Sequence, residues 1–316
     1  MSQLGAIKTE YQPDIASPLV IVDVGEFLAR NIPPREMLLD PIIPAQGLAL
    51  LYSMRGVGKT HVALGIAYAA ASGGHFLRWS APRPRRVLYL DGEMPAKSMQ
   101  DRIASIVAGA EQEPPSPEYL RFITPDFQED SFPDLASEDG QAAIEPHLEG
   151  VDLVIVDNLS TLCRYGRENE AESWGPVQTW ILSLRRRGIS VLLVHHANKN
   201  GGQRGTSRRE DVLDTVIALS RPEGYTSEEG ARFEVHLEKA RHIVGDEAKP
   251  FESRLDVRDG ASYWTTRGLE DVELQQVVDL TADGESVCEI ADKLDLSRSK
   301  VQRLRERARE KGMLDE

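Results

Sequence analysis

Leu48-Ala49-Leu50-Leu51-Tyr52-Ser53-Met54-Arg55-Gly56-Val57-Gly58-Lys59-Thr60 joins an unbroken apolar run to a glycine-bearing turn that opens into a helical pattern. A phosphate-cradling loop needs this order. Gly56 and Gly58 let successive backbone N–H groups converge on phosphate oxygens without a Cβ in the way, and the following helix points its positive end at the anion. In such a loop Arg55, Gly56, Val57, Gly58, Lys59, Thr60 and His61 surround the phosphates, Lys59 reaches the β and γ groups, and Thr60 ligates Mg²⁺. Ser53 stands where the usual G-x-x-x-x-G-K-[ST] pattern has its first glycine. The motif therefore points to a nucleoside triphosphate, with an ordinary glycine-rich turn as the alternative.

The chain has 316 residues, 37 basic and 51 acidic, for a formal net charge of −14. That length suits a large α/β domain with a small appendage, and the charge excludes coating nucleic acid with the whole surface. Any DNA contact is local. Cys163 and Cys288 lie far apart without metal-ligand spacing, which fits ordinary thiols in a reducing cytoplasm. Met1 to Glu10 is polar with no apolar signal core, and no stretch approaches the ~20 apolar residues of a membrane span, so a soluble cytoplasmic protein with no membrane partner is expected.

Working outward from the loop, Leu48 to Tyr52 reads as a buried strand, Lys59 to Ser72 as a helix closed by Gly73-Gly74, and Arg86 to Asp91 as another buried strand. A helix from Pro95 to Glu111 stops at Pro114, Pro115 and Pro117, and a strand follows at Leu120 to Thr124. Asp126 to Asp139 reads as loop, followed by a helix ending near Gly150. The strands Asp152 to Asp157 and Ser190 to His195 flank a helix around Trp174 to Arg187. This alternation predicts an α/β fold with a mostly parallel sheet flanked by helices. Thr215 to Ser220, Arg232 to Lys239 and Phe251 to Val257 predict antiparallel strands or hairpins extending it. Near Arg267-Gly268 the texture becomes wholly helical, which divides the chain into a leader, 1–38, a core, 39–266, and a small all-α domain, 267–316.

In the last segment Ser286-Val287-Cys288-Glu289 has capping-box spacing, and Ile290, Ala291 and Leu294 share one helix face. Ser297 is an N-cap for a longer helix with Val301 and Leu304 inside and Arg298, Lys300, Arg303, Arg305, Arg307 and Arg309 largely outside. The pattern matches a helix-turn-helix whose recognition helix is Ser297 to Lys311, with Arg298, Ser299, Lys300 and Arg303 toward a DNA groove. The alternative is a bundle whose basic face is solvated or packs on the acidic body.

Asp157 ends an apolar strand, so its carboxylate emerges at the strand's C-terminal edge as the metal partner of Thr60. Asn158 follows it, not glutamate. The base must then lie elsewhere, and Glu93 fits: Val87 to Asp91 is expected beside the phosphate-loop strand, with Glu93 just past its end, placed to orient a water. Gly56 to Thr60, Asp91-Gly92-Glu93 and Asp157 together resemble the RecA-like ATPases, particularly the group containing the plasmid replication helicase RepA and, more distantly, DnaB-type hexameric helicases. The resemblance spans roughly 39–257. It implies a RecA-type core and ATP hydrolysis with Mg²⁺, with Lys59 and Glu93 catalytic and the metal held by Thr60 and Asp157. It also implies a homo-oligomeric ring, a hexamer in the DnaB-type case, with nucleotide at subunit interfaces and single-stranded DNA through a central channel.

By the same resemblance His196, or else His195, is a sensor of the γ phosphate, and Glu238-Lys239-Ala240-Arg241 supplies two cations to the neighbouring subunit's site. Separately, Lys239 and Arg241 at alternate strand positions would share one face and address one anion, or else be solvent-facing edge charges. Arg204, Arg208 and Arg209 in the loop 198–210 are rival donors in trans, or DNA contacts. The loop 159–173, with Arg164 and Arg167, is a second DNA-contacting candidate. A ring-forming ATPase acting on DNA, such as a helicase or replication protein of a mobile element, is the leading expectation. An ATP-switched DNA-binding regulator or loader is the second and a small-molecule kinase the third, although no acceptor-site pattern supports the kinase.

Overall fold

The computed structural model describes residues 20–129, 132–164, 170–197 and 211–314. The chain divides into two compact units, 1–35 and 36–316. In the first, helix α1 (Val24–Ala29) starts at Asp23, whose carboxylate accepts the Glu26 N–H at 2.8 Å.

The second unit begins with a two-stranded ribbon, β1 (Met37–Leu39) and β2 (Ile43–Pro44). It continues through β3 (Leu48–Ser53), α2 (Lys59–Ser72), a second ribbon of β4 (His75–Phe76) and β5 (Trp79–Ser80), β6 (Val87–Asp91), α3 (Ala96–Gly109) and β7 (Leu120–Ile123). Next come α4 (Glu138–Ile144), β8 (Leu153–Asp157), α5 (Leu159–Leu162), α6 (Glu170–Arg186), β9 (Ser190–His196) and β10 (Thr215–Ser220). The sheet is completed by β11 (Arg232–Ala240), β12 (Phe251–Arg258) and β13 (Ala261–Gly268), and the chain turns helical in α7 (Leu269–Ala282), α8 (Val287–Lys293) and α9 (Arg298–Glu310).

Nine strands form one sheet in the order β13-β12-β11-β10-β3-β9-β8-β6-β7. The six from β10 to β7 are parallel, and β11 to β13 add an antiparallel extension. Strands β3, β6, β8 and β9 are buried along their whole length, as continuous apolar runs covered on both faces by helices must be. One core layer packs α2 against the sheet and the other packs α4 to α6 against its opposite face. No helix of the described residues is long and apolar enough to cross a membrane.

Three expectations are corrected. Val87–Asp91 is not beside the phosphate-loop strand, because β9 and β8 lie between them. These later strands, wholly buried, take the middle of the sheet, so adjacency in sequence does not become adjacency in space. Thr215–Ser220 is parallel to Leu48–Ser53 and not the first antiparallel strand, since the long connection from His196 brings the chain back to the starting edge. The segment 126–139 is not all loop: it carries a short 3₁₀ turn at Pro125–Phe127 and the start of α4, capped by Ser137.

Strand β13 was also not anticipated. Its signal is Asp259-Gly260, both at positive φ (50° and 80°), joining Arg258 to its partner Ala261 in a two-residue hairpin turn.

Candidate nucleotide site

The parallel strands end together. Ser53 lies beside His196 in register, Val194 beside Asp157, and Asp157 beside Asp91, so one sheet edge collects the ends of β3, β9, β8 and β6. Open parallel sheets bind ligands at this edge. A cleft of about 540 Å³ lies there, walled by 55–61, Asp91, Glu93, Arg102, Asp157, Asn158, His196 and the start and end of the β10–β11 connection.

The turn after β3 carries Gly56 at φ 77° and Gly58 at φ 132°, conformations that only glycine adopts cheaply. A Cβ on Gly58 would also come within 3.2 Å of the Phe233 ring, whereas one on Gly56 would meet nothing within 4 Å. No side chain caps α2, which leaves the N–H groups of its first turn to an anion. Lys59 is 6% exposed, and its amine donates to the Ser53 carbonyl at 3.1 Å, the Met54 carbonyl at 3.0 Å and Ser53 Oγ at 3.2 Å. The serine at the position of the usual glycine thus helps hold the lysine. Burial lowers the Lys59 pKa to about 8, against the pull of Asp157 and Glu93.

Asp157 accepts a hydrogen bond from the buried Tyr89 hydroxyl at 2.6 Å and one from Thr60. Burial raises its pKa and these bonds oppose the rise. A threonine hydroxyl and a carboxylate in contact beside a buried ammonium are the donor set that a phosphate-bound divalent cation uses, so these residues fit Mg²⁺ with a triphosphate.

Asp91, 1% exposed, accepts the N–H groups of Glu93 at 3.3 Å and Met94 at 3.1 Å and the Thr124 hydroxyl at 3.2 Å, which fixes the turn that presents Glu93. Glu93 Oε2 takes a hydrogen bond from Asn158 Nδ2 at 2.5 Å and stands 3.7 Å from His196 Nε2. Burial, then Lys59, hold the His196 imidazole below its usual pKa. His61 is lowered to about 4, by burial and then by Arg102. His195, though buried, does not line the cleft.

Arg102, Arg221 and Tyr225 line the cleft without having been anticipated. Arg221 donates to the Gly56 carbonyl at 2.5 Å and lies 3.6 Å over the Tyr225 ring, and Tyr225 donates to the Gly230 carbonyl at 2.8 Å. Arg221 directly follows a strand that runs parallel to β3 and so ends at the same edge, a pairing that the sequence did not signal.

Lys239 and Arg241 are not at this cleft. Lys239 pairs with Val216, at the opposite end of β10 from the phosphate loop, and Arg241 donates to the Asp211 carbonyl at 2.9 Å. The alternation argument for them also fails, because β11 ends at Ala240 and Arg241 lies past it. Arg167, Arg204, Arg208 and Arg209 lie outside the described residues. Arg164 is away from the cleft, donating to the Phe132 carbonyl at 2.5 Å.

The last three helices have their own apolar cluster, with Leu274, Val277, Ile290, Val301, Leu304 and Ala308 buried. Ser286 and Glu289 form the expected capping box, and Ser297 Oγ accepts the Lys300 N–H at 3.2 Å. Part of the basic face is occupied: Lys300 pairs with Glu273 at 2.7 Å, Arg307 with Glu270 at 3.3 Å and Lys311 with Asp271 at 3.7 Å. Lys300 is thus turned onto α7, while Arg298, Ser299 and Arg303 are exposed.

Among solved structures the chain is similar to a KaiC-like protein from the hyperthermophilic archaeon Pyrococcus horikoshii OT3, at 14% identity over 73% of this chain and 99% of that one, with a TM-score of 0.50. It is also similar to the flagellar accessory protein FlaH from Methanocaldococcus jannaschii, at 11% identity over 70% of this chain and 90% of that one, with a TM-score of 0.47. The first likeness supports the RecA-like fold and nothing further. A homeodomain-like domain model matches 269–315, the three C-terminal helices. The AAA domain model matches 13–202, more than half of the chain and all of the phosphate loop, Glu93, Asp157 and His196, and the chain therefore belongs to the AAA domain family.

Proposed function

We propose that this protein is an Mg²⁺-dependent ATPase that works on DNA as an oligomeric ring, in the manner of the RepA-like replicative helicases. The observation that carries the reading is the convergence of Lys59, the Thr60–Asp157 pair, Glu93 and His196 in one cleft at the carboxyl edge of the sheet. The loop amides and Lys59 bind the phosphates, and Arg221 and Tyr225 offer a flat wall to the base. Thr60 and Asp157 would hold the metal ion, which when bound would supply positive charge against the phosphates. Glu93 accepts a proton from water as the water oxygen attacks the γ phosphorus. The bond from that phosphorus to the bridging oxygen breaks, leaving ADP and inorganic phosphate. His196, kept neutral, reads the γ phosphate through its imidazole.

Lys239 and Arg241 lie too far along the sheet to serve their own cleft, so in the ring reading they address a neighbouring protomer's site. The segment 267–316 is proposed as a separate helical module. Its exposed Arg298, Ser299 and Arg303 favour one second reading, a DNA-binding regulator or loader in which ATP switches assembly. Hydrolysis stimulated by single-stranded DNA together with opening of a tailed duplex is the result expected of the motor. Tight duplex binding without strand opening is the result that replaces it with the regulator.

A further inference from the structure

We propose that Asn158 is the positioning residue of the hydrolytic base, its amide holding the Glu93 carboxylate in line for the attacking water. The proposal rests on the hydrolysis reading above. Glu93 needs such a partner. Asp91 fixes the backbone of its turn, but the Glu93 side chain is 59% exposed and is long enough to adopt many rotamers. Asn158, by contrast, is 2% exposed and follows directly from the last residue of a central strand.

The orientation of the amide is determined by its surroundings. Asn158 is the N-cap of α5, and its Oδ1 accepts the N–H groups of Ser160 at 2.9 Å and Thr161 at 3.3 Å. Only an oxygen can meet two donors, so the nitrogen must face the other way. There it donates to Glu93 Oε2 at 2.5 Å, a hydrogen bond to a charged acceptor and so among the stronger kinds. His196 Nε2 approaches the same oxygen, at 3.7 Å. Both contacts fall on Oε2, which assigns the water-directed role to Oε1. The helix start therefore sets the amide, and the amide sets the base. A serine or aspartate at 158 would still cap α5 but would carry no N–H for Glu93.

The test uses the full chain and measures steady-state ATP hydrolysis alongside equilibrium binding of a fluorescent ATP analogue with Mg²⁺. Asn158→Ser and Asn158→Asp keep the cap and remove the amide N–H that reaches Glu93, serine leaving only a shorter hydroxyl and aspartate adding like charge. Both are expected to lower kcat on the order of 10- to 100-fold, as a misplaced catalytic group does, with KM and analogue affinity within about twofold. In a Glu93→Gln background, Asn158→Ser is expected to cost nothing further. Parent-like kcat in Asn158→Ser, or losses that multiply in the double variant, would overturn the proposal and leave hydrolysis by Glu93 intact. A parent chain that hydrolyses no ATP, or a Glu93→Gln variant as fast as the parent, overturns the hydrolysis reading and the positioning role with it.

Discussion

Lys59 is a cation whose own surroundings disfavour its charge. Burial brings its pKa down to about 8 from an ordinary 10.5. Between those values the unfolded chain holds the proton and the folded chain does not, so this group makes stability rise with pH across that window. Triphosphate binding has the opposite sign, because the phosphates favour the ammonium. Affinity for ATP is expected to fall as pH rises above about 8, with net proton uptake on binding. Calorimetry in buffers of different ionisation enthalpy reads that uptake directly, and Lys59→Met should abolish it along with most of the affinity. The residues of the loop were legible in the sequence because spacing alone places them, and Asp157 and Glu93 because each stands at or just past a strand end, although the strand expected beside that of Glu93 was the wrong one. Arg102 and Arg221 were not, because what brings them to the cleft is a helix face and a strand order that no local pattern encodes.

Elements were legible where their periodicity was strong. The buried strands Leu48–Ser53, Leu153–Asp157 and Ser190–His196 and the helix Lys59–Ser72 stand within a residue or two of their expected limits. What failed was order and pairing, since apolar runs name a strand without naming its neighbours. Helix α2 illustrates a tertiary constraint invisible in its alanine-rich sequence. A Cβ on Gly65 would come within 2.1 Å of the Phe76 ring, so the β4–β5 ribbon lies directly on the helix there. Gly65→Ala, which improves intrinsic helix propensity by about 1 kcal/mol, is expected instead to destabilise by about 1–3 kcal/mol through overpacking. Thermal unfolding decides the sign.

At the scale of the whole molecule, a net charge of −14 confines any DNA contact to small basic surfaces. Helix α9 was expected to offer one, and the structure divides it. Three cations are neutralised by the acidic start of α7, and Arg298 and Arg303 are left facing solvent. Replacing either with alanine is expected to weaken duplex binding and to reduce the salt dependence by about one unit of slope if the arginine meets a phosphate. Replacing Lys300 should chiefly loosen the three-helix packing. Fluorescence anisotropy across a salt series distinguishes the two effects.

Gly268 is the last residue of β13 and Leu269 the first of α7, so no tether separates the sheet from the helices that carry Arg298. On the proposed function, a DNA-binding head mounted without slack would not search for its target independently of the ATPase body. Any twist of the sheet would then reach that head directly, and grip and hydrolysis would work as one gear.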